Sequence, residues 1–116
     1  MAKLDLLDRK EFTITLDSGE IIKGKFSYWA TKRLSQKLGL PLKGFIERMS
    51  SDSVRFEDVF EIVQVAIEHS RREEGKPFPS DFEVCNWCES LSKEDFSKLQ
   101  THLLTDPEAE EKKNLT

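Results

Sequence analysis

No run of apolar residues in this chain approaches the roughly 20 that a helix needs to cross a bilayer. Charged side chains interrupt every hydrophobic stretch. The N-terminus, Met1-Ala2-Lys3-Leu4-Asp5, lacks the long apolar core of a secretory signal. A cytosolic location is expected, where cysteines stay reduced. Cysteine is itself scarce: Cys85 and Cys88 have no second pair with which to complete a zinc site. There are five glycines, no two closer than five residues, so a glycine-rich phosphate loop is excluded.

What is present suits one domain. A chain of 116 residues can bury a core without metal or disulfide staples. Hydrophobic residues make up 37% and charged residues 34%, polar but not so depleted that disorder wins throughout. The net charge of −4 is unevenly placed. Through Met49 there are ten basic against six acidic side chains; from Ser50 onward there are eight against sixteen. Lys23, Lys25, Lys32, Arg33 and Lys37 lie close together in the basic half, a pattern open to nucleic acid. The plainer reading is a solvated hairpin face and a solvated helix face.

Residues 1–10 read as a flexible leader or an edge strand. Phe12, Ile14 and Leu16 alternate with Thr13 and Thr15, the period of a half-buried strand. Asp17-Ser18-Gly19-Glu20 is turn chemistry, and the return strand spans 21–26. The hairpin's apolar face needs helices to cover it. Ser27 caps a first helix through Leu38, with Ala30, Leu34 and Leu38 inward and Trp29 off the stripe. Pro41 opens a short helix carrying Leu42, Phe45, Ile46 and Met49.

A long helix runs from about Phe56 to Glu74, with Val59, Phe60, Val63, Ala66 and Ile67 on one side. Glu57, Glu61, Gln64, Glu68 and Arg71 form the opposite, solvated side. Ile62 sits about 100° from the stripe centre and Val65 nearly opposite it. The helix therefore packs on two sides or offers its outer face to a partner. Ser80 and Glu83 form a capping box opening a fourth helix, and Ser92 caps a fifth. Residues 106–116 read as a disordered acidic tail. The expected fold is α+β and mainly α: a β-hairpin, about five helices and that tail, with a single domain over 11–105.

Chemistry-bearing motifs are sparse. Cys85-Asn86-Trp87-Cys88 begins about five residues after the helix cap and follows no βαβ pattern, against a redox pair. Cys85, Cys88, His69 and His102 match no common zinc spacing, so the cysteines read as small core residues. No nucleophile or orienting acid is placed by sequence beside either histidine. Catalysis, a cofactor and a metal are not expected. Tyr28 and Trp29 stand beside the basic patch; the alternatives are corner packing, protein contact and base stacking.

The short β-hairpin, the helix Tyr28-Trp29-Ala30-Thr31-Lys32-Arg33-Leu34-Ser35-Gln36-Lys37-Leu38-Gly39-Leu40, the Phe45-Ile46 helix, the 56–67 segment and the 82–104 helix pair form a pattern. It resembles the tail assembly chaperones of long-tailed bacteriophages and related gene-transfer particles. The likeness covers most of residues 11–104, as an order of elements and apolar positions without a diagnostic motif. It implies a chaperone in the host cytoplasm, absent from the mature virion. The chaperone would bind the tape measure protein and help recruit tail tube subunits. The resemblance also implies a longer frameshifted product. Glu111-Lys112-Lys113-Asn114 is compatible with codons ending in a slippery A-AAA-AAC run. The expected partner strip comprises Tyr28, Trp29, Phe45, Ile62 and Val65, the apolar residues that the stripes leave over or do not place firmly. A homo-oligomer is compatible with the same surplus. The alternative is a small nucleic-acid-binding or regulatory adaptor using the basic half.

Overall fold

The computed structural model describes residues 1–41, 43–44, 47 and 56–104. Among these, three strands form an antiparallel sheet in the order β1 (Lys3–Leu7), β2 (Glu11–Thr15), β3 (Ile21–Lys25). Four helices follow: α1 (Tyr28–Leu38), α2 (Phe56–Glu74), α3 (Asp81–Glu89) and α4 (Lys93–Leu104). The architecture is α+β and mainly α. Most of the helix expected after Pro41, including Phe45, and the expected acidic tail lie outside the described residues.

The sheet carries one strand more than the expected hairpin. The leader is an edge strand, in register with β2 from Lys3 opposite Thr15 to Leu7 opposite Glu11. Directly opposed residues share a face. The row Leu4, Ile14, Ile22 and the row Leu6, Phe12, Gly24 therefore lie on one side. That side faces the helices, and Phe12, Ile14 and Ile22 are buried. Asp5, Thr13 and Lys23 occupy the other. The Ala2 N–H donates to the Ser90 carbonyl at 3.1 Å, fastening the start of the sheet to the α3–α4 junction. Between β1 and β2, Arg9 and Lys10 have φ of 58° and 59°, and the Glu11 N–H closes the turn on the Asp8 carbonyl. Two left-handed central residues match the right-handed strand twist. Side chains other than glycine or asparagine there cost about 1 kcal/mol each.

Local chemistry fixes the helix ends as expected. The Ser27 hydroxyl accepts from the Ala30 N–H, and Gly39 ends α1 at φ 65°, in the left-handed region. Ser80 and Glu83 form a reciprocal capping box on α3, and Ser92 accepts from the Asp95 N–H to open α4.

Helix α2 runs through the middle of the domain, against β3, α1 and α3. Ile62 is 1% exposed and Val65 0%, so neither lies on an outward strip. The helix packs on more than one side, and these two residues belong to the core. The supposed solvated side is also corrected: Gln64 and Glu68 are buried, Glu68 at 3% exposure. The reason is α1, which covers this side and brings Arg33 onto Glu68. The Arg33 Nε donates to Glu68 Oε1 at 2.6 Å and Nη2 to Oε2 at 3.3 Å. A forked guanidinium answers both carboxylate oxygens, which makes burial of that charge tolerable.

Gly24 is required by close approach. A Cβ there would stand 2.3 Å from Cζ of Phe12, whose ring lies over the glycine and whose side chain is buried. Gly24→Ala should lower unfolding free energy by about 1–3 kcal/mol, the range for overpacking a filled core. Urea denaturation would check this, and an unchanged midpoint would contradict the packing described.

Candidate functional site

The proposed partner residues do not form one strip. Tyr28 is 96% exposed, at the start of α1. Trp29 is half-buried against the core, edge-on to His69 at 5.9 Å and to Phe78 at 6.3 Å. Ile62 and Val65 are interior, and Phe45 lies outside the described residues. Among the described members of the set, Tyr28 and Trp29 are near a surface.

The apolar surface not used by the core lies elsewhere. Between α3 and α4 runs an open groove of about 780 Å³. Its floor is the tilted pair Phe60 and Phe96, ring centroids 5.4 Å apart, with Cys88 and Leu91. Phe82 lies at its edge, 75% exposed, and Asn86, Glu89, Lys93 and Gln100 give it a polar margin. An apolar floor within a polar rim is the usual anatomy of a protein-binding surface. The capping box at Ser80 sets this arrangement by starting α3 where Phe82 falls in the first turn, off the inward stripe of Val84, Trp87 and Cys88. Phe82 was not among the residues the stripes left over. Its large ring in an exposed first turn was the signal available for it.

On the other flank of α4 a second groove, about 890 Å³, lies against the β1–β2 turn. Leu6, Leu7, Arg9, Lys98, Thr101 and His102 are among the residues that line it. Leu6 and Leu7 are exposed there. His102 Nε2 donates to the Glu11 carbonyl at 3.0 Å and ties α4 to β2.

His69 joins a serine and a carboxylate that lie far apart in sequence or on different elements. The Ser27 hydroxyl donates to His69 Nδ1 at 2.7 Å, and His69 Nε2 donates to Glu73 one turn on. The arrangement has the order of a serine relay. The Ser27 oxygen, however, already accepts the Ala30 N–H as the cap of α1, and neither groove is lined by Ser27. The set works as a latch between α1 and α2. Nothing in the sequence reveals it, because Ser27 and His69 are 42 residues apart.

The basic half presents fewer free charges than its composition suggests. Lys25 is 3.7 Å from Glu11, Arg33 is held by Glu68, and Lys37 lies 3.3 Å from Glu61. That Glu61 Oε2 is enclosed and accepts no well-directed hydrogen bond, so Lys37 meets it as a charge rather than as a donor.

The two cysteines part company. Cys88 is buried as expected, but Cys85 is exposed on the groove. Burial, and to a lesser degree the neighbouring Cys85, pushes the Cys88 thiol from 9.0 up to about 12. Among the described residues no group of three or more histidine, cysteine or acidic side chains is placed to hold a metal. No helix among them is long and apolar enough to cross a membrane.

Comparison with protein-family models, curated proteins and solved structures gives no match.

In mildly alkaline buffer a thiol reagent should label one cysteine of the folded protein and both after denaturation, and Cys85→Ser should abolish the native reaction. Because folding raises the Cys88 pKa, the stability from its burial is intact below pH 9 and is lost as pH climbs towards about 12. Equal native labelling of both thiols, followed by mass spectrometry, would contradict this placement.

Proposed function

We propose that this chain is a protein-binding assembly factor of the phage tail assembly chaperone kind. It holds an amphipathic helical segment of the tape measure protein in the α3–α4 groove. The observation that carries the reading is Phe82, three-quarters exposed beside the apolar floor made by Phe60 and Phe96. A helix laid in such a groove buries its apolar face and leaves its polar flanks to residues such as Glu89 and Lys93. The order of a small sheet followed by short capped helices supports the same reading through the likeness described above. In this account the chaperone keeps apolar stretches of its client from aggregating in the host cytoplasm while tail tube subunits are recruited. It binds and does not catalyse.

The partner strip moves accordingly, from Ile62 and Val65 to the groove. A nucleic-acid adaptor is the weaker alternative, because three of the five clustered basic residues already face carboxylates.

The test is co-expression with the tape measure protein of the same phage or prophage. The wild-type chain should raise the soluble fraction of that protein and co-purify with it. Phe82→Asp should abolish both effects, an affinity loss of about 30-fold if Phe82 is a hot spot worth about 2 kcal/mol. An exposed position predicts an almost unchanged melting temperature for this variant. A wild-type chain without effect, or a Phe82→Asp chain as effective as wild type, would contradict the proposal.

A further inference from the structure

We propose that the corner where α1 begins and α2 ends is a second binding surface, for a carboxylate-rich segment of a protein partner. Trp29 and Phe78 meet edge-on there at 6.3 Å without entering the core fully, and Tyr28, next to Trp29 in the chain, stands in solvent. The Trp29 ring has guanidinium groups near it from both helices, Arg33 at 5.8 Å and Arg72 at 5.9 Å. Arg33 also lies 5.0 Å from the Phe78 ring. The charge of Arg33 is answered by Glu68. Arg72 is different: it lies over the Trp29 ring, and among the described residues no carboxylate pairs with it.

Three further features add positive potential. Lys32 is exposed and has no carboxylate partner among the described residues. With Trp29, Arg33 and Gln36 it lines a polar hollow of about 140 Å³, room for one carboxylate group. The first turn of α1 holds no acidic residue, so the positive end of that helix is not offset. The acidic groups nearby are engaged: Glu73 takes the His69 proton donor, and Glu74 is 2.8 Å from Lys76.

Charge complementarity then selects the occupant. Tyrosine, tryptophan and arginine are the side chains that dominate binding energy at protein interfaces. A nucleic acid draws its affinity from many phosphates neutralised by lysine and arginine. This corner offers two cations not already paired, on a chain of net charge −4. An acidic protein segment needs only one or two carboxylates placed over Lys32 and Arg72, with an apolar neighbour against Tyr28. The surface is separate from the α3–α4 groove and stands or falls independently of it.

A synthetic peptide of repeating Glu-Glu-Leu units, titrated into the full-length protein and followed by the Trp29 indole and Arg72 side-chain N–H resonances, tests the idea. Both signals should shift on binding, and Trp29→Phe assigns the indole. Tyr28→Ala and Arg72→Glu, both at exposed positions, should each weaken binding about tenfold. Phe82→Asp should leave it unchanged. The proposal is overturned if Arg72→Glu binds as tightly as wild type, or if the shifts fall on the groove around Lys93. It is also overturned if single-stranded DNA binds better than the peptide, or if the same resonances move on dilution alone, which would mark the corner as a contact between copies.

Discussion

Glu68 is a carboxylate almost out of contact with water at the centre of a helix, and much of the domain is arranged by what keeps it there. A buried charge without a partner costs several kcal/mol, far more than one surface ion pair returns. Arg33 provides the partner, and to do so α1 must lie along α2 at one angle and in one register. The other polar groups on that side obey the same constraint. Glu61 faces Lys37 from α1, the Gln64 amide reaches the Pro79 carbonyl at 3.5 Å, and His69 takes the hydroxyl that caps α1. The helix that reads as amphipathic is enclosed on each side by an element that answers its polar residues. Ile62, Val63, Val65, Ala66 and Ile67 then face no solvent, while Phe60 stays partly exposed at the α3–α4 groove.

This enclosure decides where function can reside. A helix closed in by β3, α1 and α3 cannot present a continuous outer strip. It reaches docking surface only near its ends, with Phe60 at the α3–α4 groove and Arg72 at the α1 corner, and the rest comes from the periphery. There α4 stands between two grooves, fastened to the sheet by His102 and to α3 through the short 90–92 junction. Phe82 at one groove and Leu6 and Leu7 at the other remain in water. The division is an enclosed centre with exposed apolar side chains at its margin.

Much of the fold was legible because its signals are local. Ser27, Gly39, Ser80 with Glu83, and Ser92 mark helix ends through hydrogen bonds within three or four residues, and the alternation of Phe12 and Ile14 marks β2. The third strand was half legible: Leu4 and Leu6 suit an edge, but a leader with Asp5 and Asp8 gives no pairing signal of its own. The buried back of α2 was less legible, because Gln64 and Glu68 have the chemistry of a solvated face. Only Arg33, 35 residues from Glu68, and the Pro79 carbonyl, 15 residues from Gln64, make them interior. Ile62 and Val65 did carry the clue, since apolar residues opposite a stripe fit two-sided packing as well as a partner strip. The groove was illegible for a related reason: it is made by the angle between two short helices, which no periodicity records.

Residue-resolved native-state hydrogen exchange tests most directly whether α2 is the locked centre. The amides of residues 59–68 should exchange only through global unfolding, slowest of all, while those of α4 exchange through smaller local openings. If the α2 amides exchanged as fast as those of α4, the helix would not be enclosed in solution, and the relocation of the binding surface to the margin would lose its basis.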